Sequence, residues 1–221
     1  MTPQRSNNRI VALVLAVLSV GALGYAAMSK RWLYNPRTVD TGAEIGFGPR
    51  GMFMCEEEGC QAMSNSELVA LFKDIVAGAE QRAAADPNNP TLSATAAKAR
   101  EMARASAAFS PFGWITFVAI AIAALSLLVA AVLVALKKRV LLPVMPTTTA
   151  LLGCMIGLIT GCVFVAVKPG PTGFVGVNFG FWAFGGGVIA GIASCLMLNK
   201  LMRPHDPDLL DDAMNPEDFP S

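Results

Sequence analysis

The apolar residues of this chain gather into four uninterrupted blocks, Ile10 to Met28, Gly113 to Leu136, Thr147 to Val167 and Gly173 to Leu198, and no block has a charged residue in its interior. Each is close to the roughly 20 residues a helix needs to cross a bilayer core. Lipid offers the backbone no hydrogen-bond partner, so each block reads as a helix that satisfies its own N–H and C=O groups. The pattern predicts a tail at 1–9, a first span at 10–28, a loop at 29–112 and a second span at 113–136. A connection at 137–146, a third span at 147–167, a loop at 168–172, a fourth span at 173–199 and a tail at 200–221 complete the order.

Between the first two spans the pattern changes twice. From Trp32 to Met63, short runs such as Thr38 to Val39, Glu44 to Phe47 and Met52 to Met54 are broken by Gly42, Gly46, Gly48, Pro49 and Gly51, which predicts small strands joined by turns. Ser64 and Glu67 then stand at capping-box spacing ahead of Leu68, Leu71, Phe72, Ile75, Val76 and Ala79, which recur at helical intervals. One face of this helix is apolar and the other carries Lys73, Asp74, Glu80 and Gln81. Such a face closes over a sheet, lies on a membrane surface or receives a partner. The run from Asp86 to Pro90 ends it. A second, Ala-rich helix is expected from about Ser93 to Phe109, with Ser110 and Pro111 as cap and first turn of the second span. The fold class is therefore a mainly α membrane protein: a four-helix transmembrane bundle with a large outer loop that contains a small β-sheet and two helices.

Composition agrees with a bilayer. The chain of 221 residues is 54% hydrophobic and 15% charged, with mean hydropathy +0.52, outside the range of ordinary soluble domains. Its net charge of +1 and the lack of a basic stripe with interleaved aromatics give no reason to expect a nucleic-acid partner. Lys and Arg near the spans set orientation. Arg5, Arg9, Lys137, Lys138, Arg139, Lys200 and Arg203 fall on one side, against Lys168 in the short third connection. Both termini are expected to be cytoplasmic in the plasma membrane, although Lys30 and Arg31 after the first span pull the other way. Gly24, Tyr25 and Ala26 would also suit signal cleavage, but an apolar run this long favours an uncleaved anchor.

The bilayer part carries no ionisable chemistry. No Asp or Glu occurs between Glu101 and Asp206, whereas pumps and ion-coupled transporters place such groups along an internal path. The polar residues there are hydroxyls such as Ser19, Thr116, Ser126, Thr160 and Ser194, with Asn178 near one end; these can bond carbonyls or a neighbouring helix. Gly153, Gly157 and Gly161 form a smooth strip on the third span, and Gly176 with Gly180 and Gly187 with Gly191 form two more on the fourth. Contact between spans three and four is expected, with an interface between protomers as the alternative. Gly185, Gly186 and Gly187 together are expected to weaken the fourth helix locally. Cys154, Cys162 and Cys195 read as small apolar residues. The single His, His205, makes a zinc cluster or a Cys and His pair hard to assemble.

Cys55 and Cys60 are the cysteines outside the spans, both on the outer side, where a disulfide is the natural reading. The bridge would close Glu56, Glu57, Glu58 and Gly59 into a small tip. A cation held by those carboxylates is the alternative, weakened because consecutive side chains diverge. Trp32 just beyond the first span, followed in the same loop by Gly51, Met52, Phe53, Cys55 and Cys60, resembles the signature of the claudin and peripheral-myelin-protein-like tetraspan superfamily. The resemblance covers the topology and about thirty residues of loop. It implies a small antiparallel sheet packed on a left-handed bundle, a structural bridge between Cys55 and Cys60, and a counterpart of the family's basic residue at Arg104. Phe53 replaces the family's second Trp, Cys55 comes one residue early, the gap to Cys60 is short, and the helical insertion from Ser64 to Phe109 is extra.

These features lead to a non-enzymatic multi-pass protein acting in adhesion, lateral assembly or partner recognition. Trp32 would anchor the sheet, Gly51 and Phe53 with the bridge would hold the recognition tip, and no cofactor or metal is called for. The partners are the lipid bilayer and another protein or a second copy. The alternative is an accessory subunit of a larger transport or envelope complex.

Overall fold

The computed structural model describes residues 3–36, 42–136, 144–168 and 175–202, with the backbone alone for 3–6, 102, 104–106, 144 and 202. The suggested strand at Thr38 to Val39, the basic run Lys137 to Arg139, Arg203, His205 and the acidic tail lie outside the described residues, as do the side chains of Arg5 and Arg104.

In chain order the elements are α1 (Pro3–Met28), β1 (Leu33–Asn35), β2 (Glu44–Gly48), β3 (Gly51–Glu56), β4 (Gly59–Ser64), α2 (Asn65–Ala85), α3 (Pro90–Ala135), α4 (Val144–Ala166), β5 (Gly176–Val177) and α5 (Phe179–Met202). Among the described residues, four stretches are long and apolar enough to cross a membrane, Asn7–Met28, Ala107–Ala135, Met145–Ala166 and Phe179–Leu201, with mean hydropathies from 1.8 to 3.0. They suggest a multi-pass membrane protein. The helices close into a ring in which α1 lies along α5, α3 along α4, and the contacts α1 to α3 and α4 to α5 complete it. Each neighbour is antiparallel, so the start of α1 and the end of α5 share the end of the bundle opposite the sheet. There the Arg9 guanidinium donates to the carbonyls of Val134 and Ala135 at 2.7 and 2.9 Å, capping acceptors that the last turn of α3 leaves without intrahelical partners.

At the other end lies an antiparallel sheet in the order β4-β3-β2-β1-β5. The expected sheet is present and gains a strand. Gly176 and Val177, read from sequence as the start of the fourth span, pair with Tyr34 and Leu33. The fourth helix begins only at Phe179, so Gly176 is not part of a glycine strip. The edge of β1 offers unpaired backbone groups at this point, and pairing wins over a helical turn that would have to start from them. Asn178 caps α5, its Oδ1 accepting from the Phe179 N–H at 2.7 Å, while its own N–H donates to the Trp32 carbonyl at 2.8 Å.

The second departure concerns Pro111. Ser110 and Pro111 do not start a helix; α3 runs unbroken for 46 residues from Pro90 to Ala135. Proline removes one donor, leaving the Ala107 carbonyl without its i+4 partner, a cost of about 3 kcal/mol in a helix interior. Packing on both sides of the proline outweighs it. Phe109 is fully buried and stacks on Phe164 with centroids 4.0 Å apart, and the Thr116 hydroxyl reaches both the Phe112 carbonyl and Thr160 Oγ1 at 2.7 and 2.9 Å. The N-terminal part of α3 thus stands beyond the apolar stretch and pairs with α2 as a helical hairpin. The capping box at the foot of α2 has formed: the Ser64 N–H donates to Glu67 Oε2 at 2.6 Å, and the Glu67 N–H donates to Ser64 Oγ at 3.2 Å.

Candidate recognition surface

The two faces of the sheet have separate tasks, set by the period of two along each strand. Leu33, Phe47, Met52 and Met63 lie in one cross-strand row, with Ile45 and Met54 beside them, and this face continues into the bundle core. The opposite face carries Tyr34, Gly46, Phe53 and Ala62 in one row and Glu44, Cys55 and Cys60 in the next. Because β2 and β3 alternate in the same phase, the disulfide, Phe53 and Glu44 all face away from the bundle.

Trp32 holds the sheet to the helices. Sequence placed it as an anchor at the membrane interface, but it has no exposed surface. It sits at the junction of sheet and bundle, stacked on Phe184 at 4.7 Å between centroids and edge-on to Phe164 and Phe181 at 5.9 and 5.7 Å. Its indole N–H donates to the Ala26 carbonyl at 2.8 Å, at the end of α1, so its one polar group is paired, as a buried Trp requires. Gly180 has to be glycine here, since a Cβ would stand 2.8 Å from both the Trp32 ring and Ser29 Oγ. Trp32 therefore supports the surface from beneath and does not form part of it.

On the outward face, the Arg31 guanidinium lies over the rings of Tyr34 and Phe53, at 5.4 and 5.6 Å from their centroids, and donates to Glu44 Oε1 at 2.9 Å. The Arg31 side chain is 56% exposed, so the pair itself adds at most about 1 kcal/mol; its effect is to order the face. Half-burial first, then the charge and hydrogen bond of Glu44, push the Tyr34 phenol above its ordinary pKa. Phe53 lies flat across Gly46, whose missing side chain leaves room for the ring. Gly51 is constrained in another way: a Cβ there would collide with the Met63 carbonyl on β4.

Cys55 and Cys60 are directly opposed in the β3–β4 register and form a disulfide. The bridge closes a short hairpin tip made of Glu56, Glu57, Glu58 and Gly59, and Gly59 adopts φ 150°, a conformation that favours glycine. A shallow hollow of about 420 Å³ lies between Gly42, Ala43 and the three glutamates. Among the described residues no group of three or more His, Cys, Asp or Glu side chains is placed to hold a metal ion.

Beside the sheet stands the α2–α3 hairpin. Leu68 is buried and Phe72, Val76 and Ala79 are half-buried, but Leu71 and Ile75 remain 44% and 47% exposed. The apolar face of α2 is therefore only partly covered by the sheet and α3. Ala96 and Ala99 of α3 lie buried along the seam, where small side chains let the helices approach, and Arg100 pairs with Glu80 at 2.6 Å. An open groove of about 490 Å³ runs between the helices.

The glycine strips pack inside the bundle, only in part between the third and fourth spans as expected. A Cβ on Gly153 would lie 2.8 Å from the Ala119 carbonyl and one on Gly157 2.9 Å from Ile120, both on α3. The strip of the third span therefore packs chiefly on the second, and only Gly161 meets α5, through Phe184. Ala119 and Ala123 are small enough to let α3 approach at Gly153, while Phe184 of α5 meets the strip only at its Gly161 end. Gly187 and Gly191 turn chiefly to α1, against Leu23 and Ser19, and Gly191 also faces Cys154 of α4, where a Cβ would stand 3.2 Å from Sγ. Ser19 donates to the Gly187 carbonyl at 2.7 Å and Ser194 to the Ala12 carbonyl at 3.0 Å, so hydroxyls tie α1 to α5. α5 continues helically through Gly185, Gly186 and Gly187.

The sequence-predicted residues thus separate into three places. Phe53 and the disulfide share the outer face, Gly51 shapes the backbone between strands, and Trp32 lies in the core. Arg31, Tyr34 and Glu44 complete the outer face and were not singled out by sequence. The parity they share with Phe53 and Cys55 is visible only once β2 is paired with β3. Comparison of the chain with protein-family models and with curated protein sequences finds no match.

Proposed function

We propose that this chain is a non-enzymatic multi-pass membrane protein of the claudin-like tetraspan kind, which works by recognising a partner or a second copy through the structure outside its spans. Both termini are cytoplasmic in this reading, and sheet and hairpin face outward. The observation that carries it is the outward face of the sheet. Arg31, Tyr34, Glu44, Phe53 and the Cys55 to Cys60 bridge form an ordered, partly exposed cluster on a support that the buried Trp32 fixes to the bundle. The orientation is supported by Arg9 and Lys200 at the end away from the sheet. The tetraspan resemblance is supported by the combination of a small antiparallel sheet, a bridged β3–β4 hairpin and Trp32 between sheet and spans.

The test is the full chain with Cys55 and Cys60 both replaced by Ala. The bridge closes only a four-residue tip, so insertion and bundle stability should change little, while chemical cross-linking to the native partner or a second copy should fall severalfold. Undiminished cross-linking in the double variant would sink the reading. Purification in a gentle detergent separates self-association from membership of a larger complex, since the latter leaves a stoichiometric foreign protein attached.

A further inference from the structure

We propose that the α2–α3 hairpin is an antiparallel docking element for the hairpin of a second copy anchored in a facing membrane. The inference rests on the recognition reading above and assigns it a surface and a partner.

Two helices in water, with Leu71 and Ile75 nearly half exposed beside an open groove, present an incomplete helical layer. The residues of that face indicate what completes it. Gly78 lies on the groove, and a Cβ there would meet open space, so another helix can approach closely at this point. Asp74 stands four residues before Gly78 and Arg82 four residues after it; both line the groove and both are exposed. A two-fold axis at Gly78 that runs α2 antiparallel to its copy sets Asp74 opposite the copy's Arg82, and Arg82 opposite its Asp74. Leu71 then lies against the copy's Ala85. The face is self-complementary in charge and shape, the condition for a closed two-fold contact.

The direction of the helices decides where the second copy sits. α3 passes from its apolar stretch into the hairpin without a break, so α2 stands roughly along the membrane normal. Two copies in one membrane, related by an axis along that normal, would bring their α2 helices together in parallel, with Asp74 facing Asp74 and Arg82 facing Arg82. Only a copy from an opposed membrane gives the antiparallel pairing. Gly78 lies 13 residues from Asn65 at the foot of α2, roughly 20 Å at 1.5 Å per residue, so the two surfaces would stand roughly 40 Å apart. A single helix pair is a weak interface, and arrays of copies on each surface would add to its strength.

The experiment uses the full chain in two vesicle populations with different dyes and reads tethering by energy transfer. Wild-type vesicles should tether, less so as salt rises. Asp74→Arg gives Arg at both positions and Arg82→Asp gives Asp at both, so each variant should lose about tenfold in tethering to itself. Vesicles of one variant mixed with vesicles of the other should recover it, as should the doubly swapped D74R/R82D chain with itself. Both side chains are exposed and both variants keep the Glu80 to Arg100 pair, so hairpin folding, followed by helical signal, should not change. Tethering insensitive to the reversals, or no recovery on mixing, overturns the proposal. Wild-type vesicles that never tether also overturn it. If the chain nevertheless cross-links within one membrane, or to another protein, in a manner dependent on Cys55 and Cys60, recognition by the sheet face survives without this docking; if it does neither, both fall.

Discussion

Alanine in place of glycine on the spanning helices should separate into two classes that the sequence does not distinguish. At Gly153 the new Cβ would stand 2.8 Å from the Ala119 carbonyl oxygen and 3.1 Å from the Ala123 Cα. Both are backbone atoms of α3, so no side-chain rotation relieves the contact and the helices must move apart by about 0.5 Å or more to restore ordinary spacing. Overpacking of this kind costs about 1–3 kcal/mol, set against a gain of up to about 1 kcal/mol from helix propensity. The net expectation for Gly153→Ala is a loss of about 1–2 kcal/mol. At Gly191 the Cβ would lie 2.7 Å from Ser19 Oγ and press on the hydroxyl that donates to the Gly187 carbonyl, giving a similar loss. Gly185 and Gly186 meet nothing within 4 Å, so alanine there should be neutral or stabilise by up to about 1 kcal/mol.

The two classes should therefore differ by about 2 kcal/mol, close to thirtyfold in the unfolding equilibrium. Cys154 and Cys195 are buried in the bundle while Cys162 is exposed, so a Cys162→Ala background leaves two thiols that react only when the helices separate. Labelling of those thiols against denaturing detergent gives the stabilities. Gly153→Ala and Gly186→Ala within about 0.5 kcal/mol of one another would refute the packing argument, and a severe loss at Gly186 would point to an interface between protomers on that face.

Trp32→Ala should cost about 3–5 kcal/mol by cavity formation, while Trp32→Phe, which keeps an aromatic ring but frees the Ala26 carbonyl, should cost about 1–3 kcal/mol; a Phe variant as stable as the native chain in the same thiol assay would show that the hydrogen bond contributes nothing, and equal losses would show that the ring does not. The Ser64 N–H and hydroxyl hold the Glu67 carboxyl below its ordinary pKa of 4.5. A lowered folded pKa stabilises fully above 4.5 and is lost as pH falls through the folded value, so amide protection at the start of α2, taken relative to the intrinsic exchange rate at each pH, should fall on acidification. Glu67→Gln should flatten that dependence, and an unchanged profile in the variant would assign the effect elsewhere.

The spans were legible because lipid demands long uncharged runs, and their ends were legible only where a cap was encoded. Ser64 and Glu67 announce α2 through side chains that reach one another locally, so no tertiary knowledge is needed. Ser110 and Pro111 give the same kind of signal and it misleads. Phe109 stacks on Phe164 of α4 just before the proline and Gly113 faces the same ring just after it, contacts about 50 residues away in sequence. β5 was hidden for a related reason, being two residues long and a strand only because β1 has a free edge there. The glycine spacing on α4 correctly said that a helix comes close. It could not say which, since Ala119 of α3 meets the strip at Gly153 and Gly157 while Phe184 of α5 meets it at Gly161.

The unbroken α3 joins the hairpin directly to the bundle, and that constrains how a load on the hairpin reaches the helices below. A hinge at Ser110 and Pro111 would have isolated the hairpin. Instead a load on α2 passes through its seam with α3 into a helix whose lower half is pinned by Thr116 to Thr160 and by the close packing of Gly153 and Gly157. The compliant point along this path is the turn before Pro111, which lacks one backbone hydrogen bond, and Phe109 fills that turn against Phe47 on the sheet and Phe164 on α4. Tilting the hairpin must therefore shear Phe109 against both rings. The sheet, α3 and α4 are thus joined through one aromatic contact, and Trp32→Ala or a change at Phe109 should loosen the hairpin and the sheet together.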